Sequence, residues 1–104
     1  MNKTEKAIYK QRAEVLKAIA HPIRLAIIDL LAGGEKTVGL IVRRVGSTQS
    51  NVSKHLSLLK HCGIIDDRKI GLNRFYYLKI PCAKQFSICV IETVKARHKQ
   101  LHRS

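Results

Sequence analysis

Residues 46–65 read GSTQSNVSKHLSLLKHCGII, and this stretch decides how the chain is understood. Val52, Leu56, Leu59 and Gly63 fall at i, i+4, i+7 and i+11, one stripe of a helix, with Leu58 beside it. That stripe is core. The other face carries Gln49, Ser50, Ser53, Lys54, Ser57 and Lys60. Serine and asparagine compete with the backbone for hydrogen bonds and are mediocre helix formers, so a run of them in the first turns costs intrinsic stability. Capping by Ser47 or Thr48 explains one or two of them. The remainder point to a helix whose exposed start must approach a polar partner closely.

Working outward, the chain before this helix supplies three more helices. From about Thr4 to Ala20, Ile8, Val15, Leu16 and Ile19 mark an amphipathic helix with a basic outer face. Pro22 opens a second at a position where its missing N–H is harmless, and PIRLAIIDLLA is apolar on nearly every side except Arg24 and Asp29. Gly33 and Gly34 stop it. Thr37 caps a short third helix through Val45, with Val38, Ile41 and Val45 inward and Arg43 and Arg44 outward, and Gly46 turns the chain into the quoted stretch.

After Gly63 the period changes. IIDDRKI and RFYYLKI read as two strands joined by a GLN turn containing Gly71 and Asn73, with Arg68, Lys69 and Arg74 beside it. Pro81 begins a last helix to about Leu101, with Phe86, Cys89, Val90, Val94 and Arg97 along one side. A short helix, a tight turn and a second helix with small polar first turns form a helix-turn-helix, and the basic hairpin is its wing. The expected fold is mainly α with a small β-hairpin, a winged helix-turn-helix in the order α-α-α-α-β-β-α. Residues 1–104 form a single domain, with the helix-turn-helix at 37–62, the wing at 64–80 and the terminal helices at 1–20 and 81–102.

Charge agrees with this reading. Twenty Lys and Arg against seven Asp and Glu leave a formal charge of +13 on 104 residues. Such a chain seeks polyanions, nucleic acid first and an anionic membrane surface second. No run approaches the length of a membrane span, and MNKTEKAIYKQR lacks the apolar stretch of a signal peptide, so no membrane association and a cytoplasmic location are expected. There is no Gly-rich phosphate loop and no His-Glu-x-x-His, and the seven acids are scattered, which argues against an enzyme.

Two segments, LKAIAHPIRLAIIDLLAGGEKTVGLI (16–41) and STQSNVSKHLSLLKHCGIIDDRKIGLNRFYYL (47–78), resemble the ArsR/SmtB family of bacterial metal- or thiol-responsive repressors. The resemblance spans about residues 12–80. It implies a homodimer packed through the first and last helices, which binds double-stranded operator DNA and releases it when an inducer binds. On that footing Gln49 and Asn51 are the base readers, because an amide pairs bidentately with adenine. Ser47, Thr48, Ser50, Ser53, Lys54 and His55 touch phosphate or support the helix, with His55 equally readable as a packing histidine beside Leu56 and Leu59, and Arg68, Lys69 and Arg74 of the wing meet the backbone.

The sensing residues are less plain. The family's thiolate site is a Cys-x-Cys in the helix before the turn, which here reads VGLIVRRV; its zinc site in the last helix begins with Asp and His, where this chain has Cys82 and Lys84. Neither is present. There remain Cys82 and Cys89 of PCAKQFSICVIE, together with Cys62 at the end of the recognition helix. Cys82, at a helix start near Lys84, is the most reactive of them. Three readings stay open: a site for As(III), Cd(II), Pb(II) or Zn(II) acting as effector, oxidation or persulfidation of the thiols, and simple packing. No obligatory cofactor is expected. His98 and His102, at i and i+4, have the spacing to share a zinc ion, but a solvated basic tail is the favoured reading of that segment.

Overall fold

The computed structural model describes residues 1–80 and 82–103, and the side chains of 82–84, 86, 87 and 100–103 lie outside what it describes. The expected start of the last helix at Pro81 therefore falls outside the described residues.

The order is α1 (Lys3–Ile19), α2 (Pro22–Ala32), β1 (Lys36–Thr37), α3 (Val38–Val45), α4 (Gln49–His61), β2 (Ile65–Ile70), β3 (Asn73–Leu78) and α5 (Cys82–Arg103). Five helices and a hairpin match the expected winged helix-turn-helix, with one addition. The two-residue strand β1 pairs antiparallel with β3, Lys36 opposite Tyr76 and Thr37 opposite Phe75, giving a sheet of order β1-β3-β2. Two residues carry no visible periodicity, so the strand is not legible in the sequence. It exists because β3 offers it an edge.

The core forms where helical stripes meet the base of the wing. Ile27, Ile28 and Leu31 of α2, Ile41 of α3, and Val52, Leu56 and Leu59 of α4 are buried with Ile64 and Ile65. The end of α4 is fixed by a Schellman motif: Gly63 takes a φ of 80° and donates to Lys60, while Ile64 N–H reaches back to the Leu59 carbonyl. Ile64 thus enters the core directly beneath α4, and the hairpin leaves from a fixed point.

The hairpin is tighter than the GLN reading. Ile70 pairs with Asn73, leaving Gly71 and Leu72 as a two-residue loop. Gly71 has φ 62° in the first central position, the arrangement of a type II′ turn. Leu72 at the tip is wholly exposed.

The terminal helices are different in kind. Ala18 of α1 is buried and Ile19 packs on the core, but Ile8, Val15 and Leu16 are exposed. On α5, Ile88, Val90, Ile91 and Val94 are exposed as well. Leu16, Ile19, Ala20, Leu25 and Val90 line a wholly apolar recess between α1, α2 and α5. No described helix is long and apolar enough to cross a membrane.

Candidate nucleic-acid interface

The helix-turn-helix is built from α3 and α4. Thr37 caps α3, its hydroxyl accepting from Leu40 N–H. Gly46, in the left-handed region at φ 72°, ends that helix and swings the chain toward α4. Between the two readings of the next cap, Thr48 is the N-cap: its Oγ1 accepts from Asn51 N–H at 3.1 Å. Its hydroxyl proton stays available to a phosphate.

Asn51 makes a contact that sequence alone did not reveal. Its side-chain N–H donates to Ser47 Oγ at 2.9 Å, and both residues are half-buried. The Asn51 amide thereby braces the turn. Gln49, Ser50, Ser53 and Lys54 are exposed and share the first turns of α4 with Thr48. A Gln side chain there carries both a donor pair and an acceptor.

His55 turns inward. Its ring is half-buried and lies 4.5 Å from that of His21, tilted by 40°. His21 caps α2, with Nδ1 accepting from Ile23 N–H. Burial, then the charges of His21 and Arg24, hold the His55 pKa below its ordinary value. His55 therefore seats α4 on α2.

The wing cations are engaged in the free protein. Arg68 forms a two-pronged ion pair with Glu35, just before β1. Arg74 binds Asp67, whose other oxygen takes Lys60 of α4. Lys69 stands directly opposite Arg74 in the hairpin, exposed, with no ion pair among the described residues. Like charges face to face on paired strands are unfavourable, and a polyanion laid across them relieves that. Sequence reasoning missed Glu35, Lys60 and Asp67, since their pairing joins separate elements that no local period connects.

The cysteines are dispersed. Cys62 caps the end of α4, half-buried against the core, while Cys89 is exposed on α5. The Cys82 side chain lies outside the described residues. Because α5 starts at Cys82, the two α5 cysteines share one helix, seven residues and about 10 Å apart. That spacing forbids a disulfide or a shared ion between them within one chain. Among the described residues no three His, Cys, Asp or Glu side chains gather to hold a metal. His98 lies on the same helix, and the His102 side chain is outside the described set.

Known proteins align with this architecture. The model of the arsR family of bacterial regulatory proteins matches residues 21–67, from the cap of α2 into β2. The transcriptional repressor SdpR of Bacillus subtilis is 39% identical over 64 residues, covering 62% of this chain and 71% of SdpR. The HTH-type transcriptional regulator Rv0081 of Mycobacterium tuberculosis is 36% identical over 75 residues, 71% of this chain, and the chain spans only 66% of its length. In three dimensions the homodimeric winged helix-turn-helix DNA-binding domain of Mb0332 from Mycobacterium bovis superposes with a TM-score of 0.79 at 29% identity, covering all of this chain and 95% of that one. The chain belongs to the arsR family of bacterial regulatory proteins, which are DNA-binding regulators and not enzymes.

Proposed function

We propose that this protein is a dimeric, operator-specific transcriptional repressor whose α4 enters the major groove. The observation that carries the reading is the exposed Thr48, Gln49, Ser50, Ser53 and Lys54 surface, presented by a capped and braced helix N-terminus on a chain of charge +13. Gln49 is the principal base reader. Asn51 assists through its carbonyl oxygen while its N–H braces Ser47. Thr48, Ser50, Ser53 and Lys54 meet phosphate, and Ser47 and His55 hold the helix in place. Lys69, Arg68 and Arg74 bring the wing to the adjoining backbone, contributing affinity and salt dependence without sequence information.

Dimerisation runs through α1 and α5. Exposed Leu16, Ile88, Ile91 and Val94 are costly in water and suited to a second copy. The Mb0332 domain, named as homodimeric, supports this assembly.

Release follows from a soft metal, a metalloid or a thiol-reactive compound acting on Cys82 and Cys89, with Cys62 as the additional thiol. Since one helix keeps its two cysteines about 10 Å apart, joint action draws a partner thiol from the second subunit or from Cys62. Such a regulator works in the cytoplasm.

The test is fluorescence anisotropy of the reduced protein with a duplex from upstream of its own coding sequence and with a scrambled duplex. A preference of a thousandfold or so at physiological salt is expected of specific binding. Equal affinity for both duplexes would instead identify a constitutive, non-specific basic DNA-binding protein.

A further inference from the structure

Asp67 is out of place on a DNA-facing surface. A carboxylate near a phosphate backbone repels it, and on electrostatics alone the chain would bind DNA better without it. Yet this side chain is only 3% exposed and is enclosed by two cations from different elements. Lys60 Nζ, in the last turn of α4, lies 2.5 Å from Oδ1; Arg74, at the start of β3, donates to Oδ2. Both contacts hold the Asp67 carboxyl below its ordinary range. A buried carboxylate is tolerable only where such partners enclose it.

The position matters as much as the pairing. The hairpin is rooted by Ile64 and Ile65 in the core and by the Lys79 N–H to the Ile64 carbonyl. Asp67 lies two residues further out on β2, about 7 Å from that root. Besides it, the hairpin is tied to the helix-turn-helix through its base, through the two-residue pairing of β1 with Phe75 and Tyr76, and through the exposed Arg68–Glu35 pair. One carboxylate therefore joins the recognition helix, the strand that bears it and the returning strand.

We propose that Asp67 is a positioning residue for DNA binding, a strut that holds α4 and the wing at a fixed angle so that both engage one duplex together. This rests on the DNA-binding reading above and extends it. The strut makes an acidic residue favourable for operator affinity, opposite in sign to its charge.

The test compares wild type, Asp67→Asn, Asp67→Glu and Lys60→Met by anisotropy on the upstream and scrambled duplexes, with melting temperatures recorded for each. Asp67→Asn is expected to weaken operator binding about tenfold while scrambled DNA binds equally or more tightly; Asp67→Glu should recover part of the loss. Lys60→Met keeps the Asp67–Arg74 pair and cuts the α4 connection alone, so it covers the case in which Asp67→Asn fails to fold. It should cost operator affinity more than scrambled-DNA affinity, whereas loss of a mere phosphate contact would lower both alike.

Amide ¹⁵N relaxation at Gly71 and Asn73 in the free protein reads the strut without any DNA. Order parameters at the wing tip should fall in Lys60→Met and in Asp67→Asn. Unchanged order parameters in a folded variant, or tighter operator binding by Asp67→Asn, would overturn the strut. A wild type that prefers no sequence, with a wing that loosens in the variants, would reject the operator-specific function and leave the strut standing.

Discussion

The imidazole of His55 on α4 lies 4.5 Å from that of His21, the residue whose Nδ1 caps α2. Two helices are joined at this point beside Arg24, whose Nε is buried with no hydrogen-bond partner among the described residues. A proton on His55 would be desolvated and would face that guanidinium. The folded state thus binds the proton less readily than the unfolded chain, where the pKa is near 6.5. Stability is full above pH 6.5 and declines as pH falls through that value toward the lower folded pKa, because there the unfolded state carries more protons. Thermal melts from pH 8 to pH 5 should show this decline, and His55→Gln should flatten it. A wild-type profile no steeper than that of His55→Gln would contradict the assignment.

Glu35 and Arg68 form the opposite kind of pair to Asp67 and its partners. Both are substantially exposed, at 35% and 56%, so solvent screens them and the pair is weak. On the proposed function, Glu35 competes with phosphate for the Arg68 guanidinium. Glu35→Gln should tighten binding to every duplex by no more than about fivefold, in contrast to the selective loss expected for Asp67→Asn. Weakened binding would show that Glu35 instead orients the wing.

Much of this was legible in the sequence because it is written in local periods and caps. Val52, Leu56 and Leu59 declared the buried face of α4, Pro22 the start of α2, and Gly46 and Gly63 the turns. The exposed face of α4 followed by subtraction. What stayed hidden depends on contacts between distant elements. Strand β1 needs the edge of β3; His55 needs His21, 34 residues earlier; Asp67 needs Lys60 across the Gly63 turn. No local pattern marks Asp67 as the anchoring carboxylate; the approach of Lys60 and Arg74 does. Asn51 looked like a reader alone because a side-chain bond to i−4 in a turn has no compositional trace.

The exposed apolar faces of α1 and α5 carry a prediction about assembly. Leu16 is 51% exposed and lines the recess that Val90 closes from α5. Leu16→Glu places a charge there without touching the helix-turn-helix core. Sedimentation equilibrium should give a dimer for wild type and a monomer for the variant. Operator affinity should fall steeply, since one half-site contact is lost per bound protein. A variant that stays dimeric would move the interface away from α1.

Thiol sensing has its own test. Anisotropy of the operator complex is followed with arsenite, cadmium, zinc or an organic persulfide, in wild type, Cys82→Ser/Cys89→Ser and Cys62→Ser. Release in wild type that vanishes in the α5 double variant is expected, with Cys62→Ser retaining at least part of the response. Unchanged binding under all four compounds would mean that the cysteines only pack.

The central claim is that α4 reads bases through Gln49, and the most direct measurement is the ratio of operator to scrambled-duplex affinity for wild type and Gln49→Ala at one fixed salt concentration. A bidentate amide contact is worth about 1–3 kcal/mol of discrimination, so the ratio should fall roughly fivefold to a hundredfold while affinity for the scrambled duplex holds. Equal losses on both duplexes, or none on either, would contradict base reading by Gln49.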